Sequence, residues 1–250
     1  MIRIFSAPLM AIALAGCATT PHPVIDTAPT VPAFAGAVSA ADPRAQAAGE
    51  DMLARGGSAT DAAIAVMLAL TVVEPQSSGI GGGGFLVRGT ADGSVGTFDG
   101  RETAPSAATP ERFLDEEGNA LPHMEAVRSG LSVGVPGNIA LAAKAHAAHG
   151  KLGWATLFDP AIRLAREGFK MNPRLHGMLE RAKNRSAHTE EARALFFDAA
   201  GDPLPVGTRL TNERLARTFE AIAAAGPRAF YTGSLAREIA ETVSADTPRD

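Results

Sequence analysis

The chain has 250 residues, of which 46% are apolar and 20% are charged, and its formal net charge is −4. This is a globular composition, so it excludes wholesale disorder, and the mild acidity argues against a nucleic-acid binder. The one Cys excludes a disulfide framework and a Cys-based zinc site. Many alanines and few aromatic residues favour a helix-dominated fold.

The first residues have the pattern of an export signal. Arg3 supplies a positive charge, and residues 4–15 form an apolar segment that is too short to span a bilayer. Leu14-Ala15-Gly16-Cys17 resembles the lipobox of bacterial lipoproteins, in which the Cys is lipidated and becomes the first residue. We expect a lipoprotein signal peptide over 1–16 and an exported protein that is anchored in the membrane through Cys17, at the periplasmic face of the outer membrane. The alternative is an ordinary cleaved signal and a soluble periplasmic protein.

Residues 17–35 are rich in Pro and Thr and almost free of charge. Such a segment cannot build a helix or a core, so we interpret it as a tether. The folded domain is therefore expected over 36–250.

Two helices open this domain. Asp42-Pro43 has the pattern of an N-cap followed by Pro at the first helical position, and Gly56-Gly57 ends that helix. Ser58 and Asp61 form a capping-box pattern before a helix over 62–73, which is apolar on almost all sides and is therefore expected to be buried.

A glycine-rich segment, Gly79-Ile80-Gly81-Gly82-Gly83-Gly84, follows. After it, two short apolar runs, 85–88 and 95–98, are separated by an Asp-Gly pair, which predicts a β-hairpin. The second strand would lead directly to Arg101.

The rest of the chain has a helical pattern. We expect a short helix after Thr109, a tight apolar turn over 133–137, and five further helices. These helices span 139–149, 159–167, 172 to about 183, 212–225 with Thr211 as the cap, and 234 to about 243.

Two patterns suggest ligands but have ordinary explanations. Gly79-x-Gly81-x-x-Gly84 matches the dinucleotide fingerprint, yet it would follow a helix and precede a strand, which is the reverse of what pyrophosphate binding needs. We interpret these glycines as allowing positive φ angles and close backbone approach beside an active site. His146 and His149 share a helix face but lack a third metal ligand, so we expect them on a solvated face.

Arg101 is the ionisable residue of most interest. It lies at a predicted strand end beside the glycine-rich segment, and its planar guanidinium can bind a carboxylate through two hydrogen bonds. From the residues alone, a structural salt bridge with Asp99 or Glu102 is the default interpretation.

Taken together, five segments resemble the γ-glutamyltransferase (γ-glutamyltranspeptidase) family, in the same order and with the same spacing. They lie in the N-terminal portion of that family's large subunit, and the likeness covers about residues 36–244. The segments are Arg55–Ala63, Val73–Phe85, Asp99–Pro105, Val133–Gly137 and Pro160–Phe169.

The resemblance implies an α+β fold, the αββα sandwich of N-terminal nucleophile hydrolases, which is incomplete and mostly helical in the part present. It also implies a precursor that cuts itself and exposes a Thr, whose own α-amine is the base when the Thr attacks the γ-glutamyl carbonyl. Donors would be γ-glutamyl compounds such as glutathione, and acceptors would be water, amino acids or peptides. No metal or organic cofactor is implied.

The family's site residues carry over only in part. Arg101 would hold the α-carboxylate of the glutamyl group, Glu102 is a weaker candidate for substrate binding, and Gly81, Gly82, Gly83 and Gly84 would have structural roles beside the site. The family's nucleophile lies beyond the matched region, and Thr19-Thr20 in the tether is not a displaced nucleophile.

We therefore expect that the chain is inactive by itself and requires the missing C-terminal part of the large subunit and the small subunit. Without them, we expect open strand edges and an exposed apolar face. Two alternatives stay open: a non-catalytic lipoprotein remnant that at most binds γ-glutamyl ligands, or a related acylase that cleaves β-lactam side chains.

Overall fold

The computed structural model describes residues 36–245, except for the side chain of Arg185. The predicted signal peptide over 1–16, Cys17 and the tether over 17–35 lie outside the described residues and stay predictions. No helix within 36–245 is both long and apolar enough to cross a membrane.

The described part of the chain is mostly helical, as predicted. Its α-helices are α1 (Pro43–Ala54), α2 (Ala59–Val73), α3 (His123–Arg128), α4 (Asn138–His149), α5 (Asp159–Glu167), α6 (Pro173–Arg181), α7 (Lys183–Ser186), α8 (Glu190–Phe196), α9 (Glu213–Ala225), α10 (Arg228–Tyr231) and α11 (Ser234–Ala245). Short 3₁₀ helices span Pro110–Phe113, Gly130–Ser132 and Trp154–Phe158. The strands are β1 (Gly84–Gly89), β2 (Val95–Gly100), β3 (Phe169–Lys170) and β4 (Arg209–Leu210), and they form two antiparallel pairs, β1–β2 and β3–β4.

The first two helices begin as the sequence predicts. The Asp42 side chain accepts a hydrogen bond from the Arg44 N–H, and Pro43 opens α1. The capping box of α2 is complete, since the Ser58 hydroxyl accepts from the Asp61 N–H and the Asp61 carboxylate accepts from the Ser58 N–H. Because Ser58 is the N-cap and the residues after it, including Asp61, already form the first turn, α2 starts at Ala59 rather than at residue 62.

The core is built around α2, which packs against α1, α4, α5 and the 3₁₀ helix Trp154–Phe158. Leu68 in the middle of α2 is fully buried, as the apolar pattern predicts. On the far side, Phe158 meets Phe219 of α9 edge to face, with ring centroids 6.0 Å apart. The buried α2 therefore supports α4, on which the hairpin packs.

The β1–β2 hairpin is confirmed, and its register assigns side chains to two faces. Phe85 pairs with Asp99, Val87 with Thr97 and Gly89 with Val95, so these residues share the outer face. Phe85, Val87 and Val95 are each about two-thirds exposed, at 67%, 69% and 67%. The inner face packs on α4. An exposed apolar sheet face is what we expected of an incomplete sandwich.

Other details differ from the predictions. Asn212, and not Thr211, caps α9, because its side chain accepts from the Leu215 N–H. The segment 133–136 is extended, so the tight turn predicted over 133–137 is wrong, since Val135 forms a two-bond β-bridge with Thr103. Helices α3, α7, α8 and α10 and the two-residue strands were not predicted, because short elements leave almost no periodic pattern.

Candidate functional site

Three segments meet at the end of the hairpin: the glycine-rich loop, the end of β2, and the start of α4. The carbonyl of Gly82 accepts hydrogen bonds from the N–H groups of Gly137 and Asn138, at 3.0 and 3.1 Å. The Asn138 side chain donates to the Gly79 carbonyl at 2.7 Å. Asn138 thus holds the glycine-rich loop at Gly79 and at Gly82. The sequence analysis missed this role, because no pattern in residues 133–138 indicates a contact with the glycine-rich loop.

Close approach of backbones, and not positive φ, explains the glycines here. None of Gly81 to Gly84 has a positive φ, so that part of our interpretation is wrong. A Cβ atom on Gly83 would lie 2.5 Å from the Gly100 carbonyl oxygen and 2.7 Å from the Glu102 nitrogen. A Cβ on Gly137 would collide with the same Gly100 oxygen. The Gly100 carbonyl is therefore enclosed between two glycines, which lets the three segments pack together.

The loop is anchored at its start by Glu74, the residue after α2. Glu74 is 1% exposed, and its carboxylate accepts from Arg174 at 2.7 Å and from the Gln76 amide at 2.7 Å. Its carbonyl accepts from the N–H groups of Ser77 and Ser78. A buried carboxylate needs such partners to be tolerated, so this Glu-Pro segment fixes where the glycine loop begins.

Arg101 lies immediately after β2, at the junction of the three segments. Its N–H donates to the Asp99 carboxylate at 2.8 Å, which fixes the backbone. The side chain is 68% exposed, and its Nε is 3.3 Å from Glu102 Oε2. The expected ion pair therefore forms with Glu102 and not with Asp99. Within the described residues the two terminal nitrogens of Arg101 have no partner, so they remain able to bind a carboxylate.

Glu102 lies between Arg101 and the glycine loop. Its Oε2 is buried and lacks a hydrogen-bond partner among the described residues. Its own backbone N–H lowers the pKa of Glu102, partial burial raises it, and the Arg101 charge lowers it further, so that the net pKa lies below its usual value. Glu102 is thus an anion that holds the Arg101 side chain from its Nε side.

His146 and His149 are packed and do not lie on a solvated face, so that expectation is wrong. His146 Nε2 is 2.8 Å from the Leu152 carbonyl oxygen, and its ring stacks at a tilt on Trp154. The His149 ring meets Phe98 of β2 edge to face. Their roles are in the packing of α4, and within 36–245 no group of three or more His, Cys, Asp or Glu side chains could hold a metal ion.

The glycine motif that matches the dinucleotide fingerprint follows a helix and precedes a strand, as predicted. The loop connects the end of α2 to the start of β1, so no helix N-terminus follows the glycines to meet a pyrophosphate. The site thus offers an exposed guanidinium on a closely packed backbone junction.

The chain is similar to known proteins in both sequence and fold. The family model described as gamma-glutamyltranspeptidase matches residues 45–247. The glutathione hydrolase proenzyme of Bacillus subtilis (strain 168) is 40% identical over 211 residues, which are 83% of this chain and 35% of the relative. The crystal structure of Helicobacter pylori gamma-glutamyltranspeptidase superposes with a TM-score of 0.79 at 34% identity, over 84% of this chain and 60% of that one.

A second similar structure is a cephalosporin acylase from Bacillus halodurans, with a TM-score of 0.66 and 31% identity over 78% of this chain and 37% of that chain. The present chain spans about a third of the length of the curated relatives it matches.

Proposed function

Because this chain belongs to the gamma-glutamyltranspeptidase family, we propose that it is the γ-glutamyl-recognising part of a glutathione hydrolase and γ-glutamyltransferase. The observation that carries the proposal is Arg101, whose terminal nitrogens have no partner among residues 36–245 and lie on a backbone junction fixed by Gly83, Gly100 and Gly137. These nitrogens would bind the α-carboxylate of the glutamyl group.

The reaction needs groups that we assign to the rest of the enzyme. A Thr nucleophile would attack the γ-glutamyl carbonyl, form an acyl-enzyme and release the amine, and water, an amino acid or a peptide would then take the glutamyl group. An oxyanion hole would contribute about 2.7–4 kcal/mol for each donor. The described residues of this chain supply the positioning step of that sequence.

The proposal is tested with the chain alone and with the chain joined by the rest of a related enzyme. The chain is purified alone and after co-expression with the remaining part of the Bacillus subtilis relative, and release of the chromophore from a γ-glutamyl anilide is measured. We expect turnover only in the co-expressed sample. Turnover by the lone chain would contradict our assignment of the nucleophile, and an inactive but stable complex would favour the non-catalytic alternative.

The acylase alternative is favoured by one observation, the structural likeness to the cephalosporin acylase. An exposed guanidinium suits an α-amino acid carboxylate better, so we prefer the γ-glutamyl substrate. Hydrolysis of a β-lactam side chain faster than of the γ-glutamyl anilide, by the same co-expressed sample, would reverse that preference.

We also propose export and a lipid anchor, on the lipobox-like pattern that ends at Cys17. Acyl chains on this Cys would hold the protein at the membrane, since each buried CH₂ contributes about 0.8 kcal/mol. The wild-type chain is expected in the membrane fraction of a Gram-negative host and the Cys17→Ala variant is not. Equal soluble fractions of the two would reject the anchor.

A further inference from the structure

A groove of about 420 Å³ lies next to the Thr103–Val135 bridge, between the extended segment 133–136 and helices α10 and α11. This volume is within the range of small-molecule sites in proteins. Its walls are mainly apolar, and they include Pro105, Val133, Val135, Pro136, Phe230 and Ile239. Val133 and Val135 are 38% and 42% exposed, so the groove is open to ligand.

Arg112 is the one charged residue among the described residues that line this groove. It extends from the 3₁₀ helix Pro110–Phe113, and its Nε donates to the Leu131 carbonyl at 2.8 Å. That bond fixes the guanidinium by its Nε. Within 36–245 the two terminal nitrogens of Arg112 have neither a hydrogen-bond nor an ion-pair partner.

Two other polar side chains line the groove, those of Tyr231 and Ser244, and the Tyr231 hydroxyl is already satisfied. The Tyr231 hydroxyl donates to the Pro136 carbonyl at 2.9 Å and accepts from the Ala140 N–H at 3.0 Å. It therefore ties α10 to the start of α4 and stiffens the wall. Ser244 is an exposed, uncharged residue near the end of α11, so among the described lining residues the charge that can recognise an anion is that of Arg112, whose planar edge matches a carboxylate.

We propose that this groove binds a small amphiphilic monocarboxylate, with its carboxylate on Arg112 and its apolar body against Val133, Val135 and Ile239. The ligand class differs from that of Arg101, because a zwitterionic glutamyl group would leave its amine without a partner against apolar walls. The proposal does not depend on the γ-glutamyl function. A free fatty acid and the C-terminus of an apolar peptide share this chemistry.

The test is calorimetric titration of the full chain carrying Cys17→Ala, so that neither a lipid anchor nor detergent competes. Octanoate represents a fatty acid, N-acetyl-leucine represents an apolar C-terminus, and octanol is the uncharged control. We expect at least one carboxylate to bind about tenfold or more tightly than octanol, and the tighter of the two identifies the source. Octanol binding as tightly as both carboxylates, or no carboxylate binding at millimolar concentration, would overturn the proposal.

Two variants separate the charge from the fold. Arg112→Met removes the guanidinium charge but keeps an unbranched side chain. It should weaken binding of the preferred carboxylate about tenfold and leave binding of octanol unchanged. Ala240→Glu places a carboxylate on an exposed residue of the groove and should weaken it to a similar degree. Arg101→Gln is the matched control and should bind normally. If both groove variants fold, as judged by Trp154 fluorescence, and bind as tightly as the parent chain, the assignment is wrong.

Discussion

Replacing Gly83 by Ala would place a Cβ atom 2.5 Å from the Gly100 carbonyl oxygen and 2.7 Å from the Glu102 nitrogen. Both neighbours are backbone atoms that cannot move independently, so we expect Gly83→Ala to lower the free energy of unfolding by about 1–3 kcal/mol. Gly81 is the matched control, because a Cβ there has nothing within 4 Å.

Urea unfolding of the two variants measures this difference. We expect Gly81→Ala to be neutral or slightly stabilising, since it restricts the unfolded chain. Equal losses of stability in the two variants would show that close approach at Gly83 is not the reason for the glycine.

The sequence could predict that this loop needs glycines, but not which physical reason applies. A positive φ angle and a close backbone approach both require glycine, so the sequence cannot distinguish them. The position of the Gly100 carbonyl in the structure does. Arg101 is the opposite case, because its place between an Asp-Gly strand end and a glycine loop was sufficient to single it out. Its choice of Glu102 over Asp99 as ion-pair partner depended on the Asp99 carboxylate accepting the Arg101 N–H.

At the scale of elements, Asp61 does more than cap α2. Its carboxylate also accepts from the N–H groups of Lys151 and Leu152, at 2.9 and 3.3 Å, and so joins the start of α2 to the loop after α4. Burial raises the pKa of Asp61, but the N–H groups of Ser58 and Lys151 outweigh it, and the net pKa is lowered. The capping box was predictable from four residues, whereas a contact across 90 positions was not.

The lowered pKa of Asp61 gives a pH-dependent prediction. The carboxylate's contribution is present above its unfolded-state value of 3.8 and is lost as the pH falls through the lower folded-state pKa. At pH 7, Asp61→Asn should cost about 1.5–3 kcal/mol, since it removes hydrogen bonds to a charged group. Urea unfolding of both proteins at a series of pH values should show the difference shrinking below pH 3.8. A difference that does not change with pH would mean that the charge of Asp61 is not what stabilises the junction.

Longer elements with clear boundaries were predictable, and short ones were not. Helix α2 followed from its apolar pattern and its cap, and the hairpin followed from two short apolar runs around an Asp-Gly turn. The segment 133–137 was misjudged because Gly and Pro predict a turn locally, while its pairing with Thr103 is a tertiary contact.

On the scale of the whole molecule, the outer face of the hairpin is the clearest sign that the described residues do not complete the family's fold. Phe85, Val87 and Val95 share this face and are each about two-thirds exposed. Apolar sheet faces of this kind promote association. We therefore expect the lone chain to self-associate, and the double variant Phe85→Thr/Val87→Thr to shift it toward monomer while keeping β-propensity.

Sedimentation velocity at matched concentrations measures this shift. Val206→Thr is the control, because Val206 is 51% exposed but lies outside the hairpin. If the control reduces association as much as the double variant does, the hairpin face is not the surface responsible.

The most direct test of the central claim combines one residue with one substrate group. The co-expressed enzyme and its Arg101→Gln variant are compared on a γ-glutamyl anilide and on a 4-aminobutyryl anilide, which lacks only the α-carboxylate. A charge-assisted hydrogen bond contributes about 1.5–3 kcal/mol, so kcat/KM for the γ-glutamyl donor should fall about tenfold to 150-fold in the variant. For the 4-aminobutyryl donor, kcat/KM should be the same in both enzymes. An equal loss on both donors, or no loss on either, would contradict the assignment of Arg101 to the α-carboxylate.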